Sequence, residues 1–170
     1  MDAGADGTDF ALYLLRHAHA GNAANWTGDD AERPLSDRGK DQARRLGSLL
    51  AARGVVPDAI VSSPKVRARQ TANIVADALG VGVASDDRLA EMFDLDALAG
   101  IMAGVGGTSL MVVGHDPDFS EMLATLVGAA ELPMRKGAIA RVDVTLPLGP
   151  GCGILRWLIP PELLPDQTDE

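Results

Sequence analysis

Short apolar runs alternate with longer stretches of helical periodicity along this chain. FALYLL (10–15) is an unbroken apolar run of strand length, as expected of a strand buried on both faces. SDRGKDQARRLGSLLAARG (36–54) places Ala43, Leu46, Leu49 and Leu50 on one face, with Ser36 as its cap and Gly54 as its stop. DAIVSS (58–63) predicts a second strand. PKVRARQTANIVADALG (64–80) predicts a second helix, with a stripe of Ala68, Ala72, Val75 and Leu79 closed by Gly80. VGVAS (81–85) is a short strand, 94–105 a weaker helix, and SLMVVG (109–114) a third clear strand followed by a helix over 117–128. AIARVDVTLP (138–147) and CGILRWLIP (152–160) predict a closing pair of antiparallel strands around the LGPG turn.

Strand–helix alternation implies an α/β domain, a three-layer α/β/α sandwich with a mostly parallel central sheet. In such sheets ligands bind at the carboxyl ends of the strands, so chemistry is expected just after the strands. The length of 170 residues fits one domain. Its expected bounds are 10–160, with a disordered acidic lead over 1–9 and a loosely held tail over 161–170.

Twenty-four acidic against fifteen basic residues give a net charge of −9, which argues against nucleic acid and anionic membranes as partners. No run approaches the ~20 apolar residues of a membrane span, and the N-terminus lacks a signal pattern. The one cysteine, Cys152, falls in a strand and is expected to be buried; it forms no internal disulfide, which fits a reducing compartment. The expected location is cytoplasmic. A net negative charge leaves room for a local cationic cluster, because screening confines exposed charges to about 8 Å at physiological salt.

Such a cluster is written at the strand ends. The first strand leads into Arg16 and His17. The second runs into SSPKVRARQTA (62–72), with Ser63 as a cap and Pro64 at the first helical position. Here Lys65, Arg67 and Arg69 crowd a helix start that ordinarily favours acids, each at a cost of about 0.3–1 kcal/mol. An anion in front of the helix removes the conflict. The third strand delivers His115 after Gly114, with Asp116 and Pro117 opening the next helix. Two histidines and two arginines are thus expected on one edge of one sheet. Arginine forks bind phosphoryl oxygens bidentately, and a neutral imidazole can attack phosphorus to form a phosphohistidine that water hydrolyses. Such transfer needs positioning and charge stabilisation, which these groups supply without a metal or other cofactor.

RHA (16–18), SSPKVRARQTA (62–72) and VVGHDP (112–117) resemble the three signature blocks of the histidine phosphatase superfamily, and RPLSDRG (33–39) and RKGAIARVDV (135–144) resemble its SixA-type phosphohistidine phosphatase branch. The resemblance implies a phosphoglycerate mutase-like fold, His17 as the phosphorylated nucleophile, and Arg16, Arg67 and His115 as the groups holding the phosphate. It places a general acid at Glu91, in RLAEMFD, where the surrounding residues depart from the pattern. Ala18 stands where the family usually has Gly. Asn22 is a candidate phosphate donor or a turn residue. Lys65, Arg69 and His19 are expected at the rim, and Trp26 is expected to anchor its loop or to meet a partner.

The reading is a metal-independent phosphatase acting on phosphohistidine in a protein, with small phosphate esters as the alternative substrate. Only 20–35 and 86–108 offer material for a lid. Two other classes compete with it. His17, His19 and His115 make a possible three-histidine metal site, although Arg16 and Arg67 would then sit beside a divalent cation. A non-catalytic phosphate-binding module would use the same scaffold. The sequence carries no sign of oligomeric state.

Overall fold

The computed structural model describes residues 9–166. Strands β1 (Asp9–Arg16), β2 (Ala59–Ser62), β3 (Val83–Ser85), β4 (Ser109–Gly114), β5 (Ile139–Thr145) and β6 (Gly153–Ile159) form one six-stranded sheet, in the order β3-β2-β4-β1-β5-β6. The first four in that order are parallel, β5 pairs antiparallel with β1, and β6 pairs antiparallel with β5. The helices are α1 (Asp37–Ala52), α2 (Val66–Leu79), α3 (Leu95–Ala103) and α4 (Asp118–Val127).

The uninterrupted apolar runs are explained by two-sided burial. Leu12, Leu14, Leu110 and Val112 pack with Leu98 and Ile101 of α3 and with Phe119, Met122 and Leu123 of α4. Their neighbours Tyr13, Leu15, Met111 and Val113 point the other way, onto Leu46 and Leu50 of α1 and Ala68, Ala72 and Val75 of α2. This is the three-layer sandwich expected from the alternation. No helix among the described residues is long and apolar enough to cross a membrane.

Several local expectations shift. Ser36 caps α1 through its bond from Gly39 N–H, as expected. α2, however, starts at Val66 with Lys65 in the cap position and no side-chain cap, so neither Ser63 nor Pro64 plays its expected part. Cys152 is only half-buried and immediately precedes β6. Asp9 belongs to β1 rather than to a disordered lead; residues 1–8 and 167–170 of the expected lead and tail lie outside the described residues. Residues 161–166 are not loosely held. Leu164 is 4 % exposed in the cluster with Leu46 and Leu50, and Arg45 donates to the carbonyls of Leu164 and Pro165. An apolar side chain that can reach the core outweighs the polar residues around it.

One close approach fixes the chain after β1. Ser36 N–H and Oγ both donate to the His19 carbonyl, at 3.0 and 3.1 Å. A Cβ on Gly39 would lie 1.9 Å from that same oxygen, so only glycine lets α1 seat here.

Candidate active site

β1 and β4 are adjacent and parallel, with Arg16 opposite Gly114, so the residues that follow them emerge side by side. His17 N–H bonds to Gly114 O at 2.9 Å, and the His17 and His115 rings lie 5.2 Å apart between centroids. His17 is 5 % exposed. Its Nδ1 lies 2.8 Å from Ala18 O. A carbonyl only accepts, so Nδ1 carries the proton and Nε2 keeps its lone pair. Burial, reinforced by His115, Arg67 and Arg16, lowers the His17 pKa to about 3, against the bond to Ala18 O, which favours the protonated ring. The ring is therefore neutral at physiological pH.

His115 comes from the other strand. Burial, followed by the charges of Arg67 and Lys65, lowers its pKa to about 3, with Asp30 opposing. Its Nε2 lies 2.8 Å from Ser63 Oγ, which itself accepts Lys65 N–H at 3.3 Å. The hydroxyl proton is thus available to Nε2, a pairing that leaves Nδ1 protonated as a donor. Ser63, read from the sequence as a helix cap, is instead the group behind this histidine.

The two arginines are held from behind. Arg16 Nη1 donates to Met134 O at 2.6 Å and pairs with Asp116 at 3.2 Å. Asp116 accepts from Ser120 N–H and Oγ, and Ser120 Oγ in turn accepts Met134 N–H, which closes a ring of contacts behind Arg16. Arg67, 6 % exposed, donates Nη1 to Asp30 O and Nη2 to Asp30 Oδ2, at 2.8 and 3.0 Å. Asp30 also accepts from Arg33 Nε, and the bonds from Arg33 and Arg67 hold its pKa below the usual carboxylate range. Arg33 Nη1 ties the same loop to Ala20 O. What remains is informative. Among the described residues, the buried side-chain nitrogens and oxygens lacking a partner are Arg16 Nε, Arg67 Nε and His115 Nδ1. Leaving a buried donor unpaired costs about 1–3 kcal/mol, so three on one edge call for an acceptor from outside the chain.

A further cation joins them. Because β5 is antiparallel, its start lies at the carboxyl edge of its parallel neighbours. Gly137 N–H bonds to both Arg16 O and His17 O, at 3.1 and 2.9 Å. Lys136 just before it is half-buried, and burial followed by Arg16, Arg33 and Arg67 lowers its pKa. Neither Lys136 nor Asp30 was singled out from the sequence. Lys136 lies before a strand rather than after one, and an antiparallel β5 is the signal that could have found it.

The other expected site residues stand apart. Glu91 is exposed in a bend, between buried Leu89 and Phe93; the charges acting on His17 and His115 do not include it among the described residues. The segment around it crosses the carboxyl edge, from Asp86 N–H on Ser62 O to Phe93 N–H on Asp118. Asn22 is exposed and caps the short 3-10 turn Ala23–Asn25, so its carbonyl oxygen serves the turn. His19 turns to Ser36 Oγ at 2.7 Å and is not gathered with the other two histidines. Among the described residues no group of three or more His, Cys, Asp or Glu side chains is placed to hold a metal ion. Arg69 is exposed, Lys65 half-buried near His115, and Trp26 Nε1 donates to Asp29 O as a loop anchor.

Comparison with known proteins places the chain in a family. The sequence pattern of the histidine phosphatase superfamily (branch 1) matches residues 12–102. An uncharacterised protein of Picosynechococcus is 33 % identical over 65 % of this chain and 68 % of its own. Phosphohistidine phosphatase SixA of Escherichia coli is 27 % identical over 88 % of this chain and 93 % of its own. The structure of the protein histidine phosphatase SixA complexed with tungstate superposes with a TM-score of 0.76 at 27 % identity, covering 91 % of this chain and 99 % of that one. The fold is that of these SixA neighbours, phosphoglycerate mutase-like, and the chain belongs to the histidine phosphatase superfamily, branch 1.

Proposed function

We propose that this phosphatase works through a covalent phosphohistidine on His17 and that its substrate is phosphohistidine in a protein. The observation that carries the mechanism is the pairing of a neutral His17, Nδ1–H on Ala18 O, with three partnerless buried nitrogens around it. Arg16 Nε, Arg67 Nε and His115 Nδ1 hold the phosphoryl oxygens, and the two arginines offset their charge. His17 Nε2 attacks phosphorus as the bond to the leaving group breaks. Because Nδ1 keeps its proton, the ring becomes a phosphoimidazolium. Water then attacks, phosphate departs, and His17 leaves as a neutral imidazole without needing a proton from the enzyme. The charge stabilisation comes from side chains, so no metal takes part.

The relative SixA supports the substrate reading. It matches over nearly the whole of both chains and is a protein histidine phosphatase by name; the tungstate in its structure is a tetrahedral oxyanion like phosphate. Glu91, exposed between its anchors, keeps the role of proton donor only if its bend folds inward on substrate.

The test is to assay wild type and His17→Ala on a phosphohistidine carrier protein and on a panel of sugar and nucleotide phosphates, with chelator present. Turnover of the carrier protein, lost in His17→Ala, and an acid-labile phosphoenzyme in the wild type are expected. Equal turnover by both proteins defeats the nucleophile assignment. A strong preference for one metabolite replaces the protein substrate with a small ester.

A further inference from the structure

We infer that Lys136 is the proton donor to the leaving group in this site. The inference rests on the mechanism proposed above and adds a residue to it.

Placement comes first. Gly137 is bonded through its amide to the carbonyls of Arg16 and His17, which fixes the preceding residue beside the nucleophile's own backbone. The side chain of Lys136 is half-buried, and it feels the charges of Arg16, Arg33 and Arg67 from β1, the 20–35 loop and α2. No ion pair joins it to a carboxylate among the described residues. The acids nearest this cluster are otherwise engaged: Asp30 by Arg33 and Arg67, Asp116 by Arg16, and Glu162 by Arg135. A lysine held among three arginines without an acid is an unfavourable arrangement by itself.

Elimination then gives it a task. Arginine stays charged and cannot release a proton, whereas lysine can. His17 and His115 are neutral rings, one attacking and one donating to the phosphoryl group. Glu91 is exposed on the rim, and His19 is bonded to Ser36. Two lysines remain, Lys65 near His115 and Lys136. Of these Lys136 is the one whose neighbour Gly137 is bonded to the Arg16 and His17 carbonyls, and burial with its three cationic neighbours lowers its pKa, which eases release of its proton.

The step balances. As the bond from His17 Nε2 to phosphorus forms and the bond to the leaving group breaks, Lys136 Nζ gives its proton to the departing group. A histidine substrate then leaves as neutral imidazole rather than imidazolate, and an ester leaves as alcohol. The neutral amine recovers a proton from the water that attacks the phosphoenzyme.

Leaving groups of different basicity separate this role from plain anion binding. p-Nitrophenyl phosphate expels a stabilised phenolate that needs little help, whereas phosphohistidine and phosphoserine peptides need a proton. Lys136→Met is expected to lower kcat on the latter two by about 10²–10⁴-fold and to lower it far less on p-nitrophenyl phosphate, so that the ratio of the rates carries the result. Lys136→Arg keeps the charge and is expected not to restore kcat. Retained p-nitrophenyl phosphate turnover also shows that the variant is folded. An equal loss on all three substrates, residing in KM and rescued by Arg, makes Lys136 an anion-binding residue and overturns the inference; so does no loss at all. Failure of the parent mechanism reads differently, as activity surviving in His17→Ala.

Discussion

Asp30 holds both outer nitrogens of Arg67, one through its backbone carbonyl at 2.8 Å and the other through its carboxylate at 3.0 Å. The guanidinium is fixed from behind, and its Nε edge is the part left without a protein partner. A loop residue thereby sets the aim of a helix residue.

Asp30→Ala is expected to lower kcat/KM by roughly 10–100-fold, because a misplaced phosphate clamp costs about that much when it shifts by an ångström. The carboxylate is half-exposed, so the melting temperature moves by only about 1–3 °C. Steady-state kinetics on p-nitrophenyl phosphate beside a thermal melt check both. Unchanged kinetics would mean that Arg67 orients itself.

Ser63→Ala is expected to lower kcat by about tenfold or more while the protein stays folded. Without the hydroxyl, His115 Nε2 loses the donor that keeps Nδ1 protonated. Nitrogen NMR of labelled His115 reads the tautomer directly. Ser63→Thr, which retains the hydroxyl, should restore both the Nδ1–H form and part of the rate. A tautomer unmoved by Ser63→Ala removes the basis for this prediction.

Acid is expected to destabilise this protein through its two site histidines. Their folded pKa values are pushed to about 3, below the unfolded value near 6.5. The unfolded chain therefore binds protons first, so the stability is complete above about pH 6.5 and is lost as pH falls towards 3. Each histidine accounts for roughly 2 kcal/mol of loss by pH 5. Urea denaturation at pH 7.5 and 5 measures the total; His115→Asn should shrink the difference between the two, and an unaltered difference contradicts the assigned shift.

Gly39→Ala is expected to be costly for a single methyl group. The new Cβ would meet the backbone of His19, which cannot swing aside as a side chain can. A loss of about 2–3 kcal/mol or more, seen as a melting point about 5–10 °C lower, is the expected result. Gly54→Ala, at a position with open space but φ +66°, provides a control with backbone strain alone.

The parallel half of the sheet and the four residues at its edge were legible because their signals are local. Apolar runs marked β1, β2 and β4, and Arg16, His17, Arg67 and His115 each stand next to one. Misplaced cations at the start of α2 even hinted at an anion. Asp30 was not legible: its loop carries no periodicity, and only the fold brings it to Arg67, 37 positions away in sequence. Lys136 escaped for a topological reason, since strand direction decides which end of β5 meets the site. Leu164 escaped because a short apolar group in a polar tail gives no sign of which cavity it can reach. Glu91 rested on a position in a pattern rather than on a physical signal, and the structure leaves it in solvent.

The reversal of β5 has a consequence for how such a site can vary. Its inner residues are pinned by two strands, yet the segment just before it lies beside Arg16 and His17, outside the parallel ladder. Arg135 and Lys136, between the buried Met134 and the pinned Gly137, can therefore change in sequence without disturbing the register of β1, β4 and β2. A scaffold of this kind can keep its arginines and histidines at the strand ends and exchange the charge set beside them, one short segment at a time.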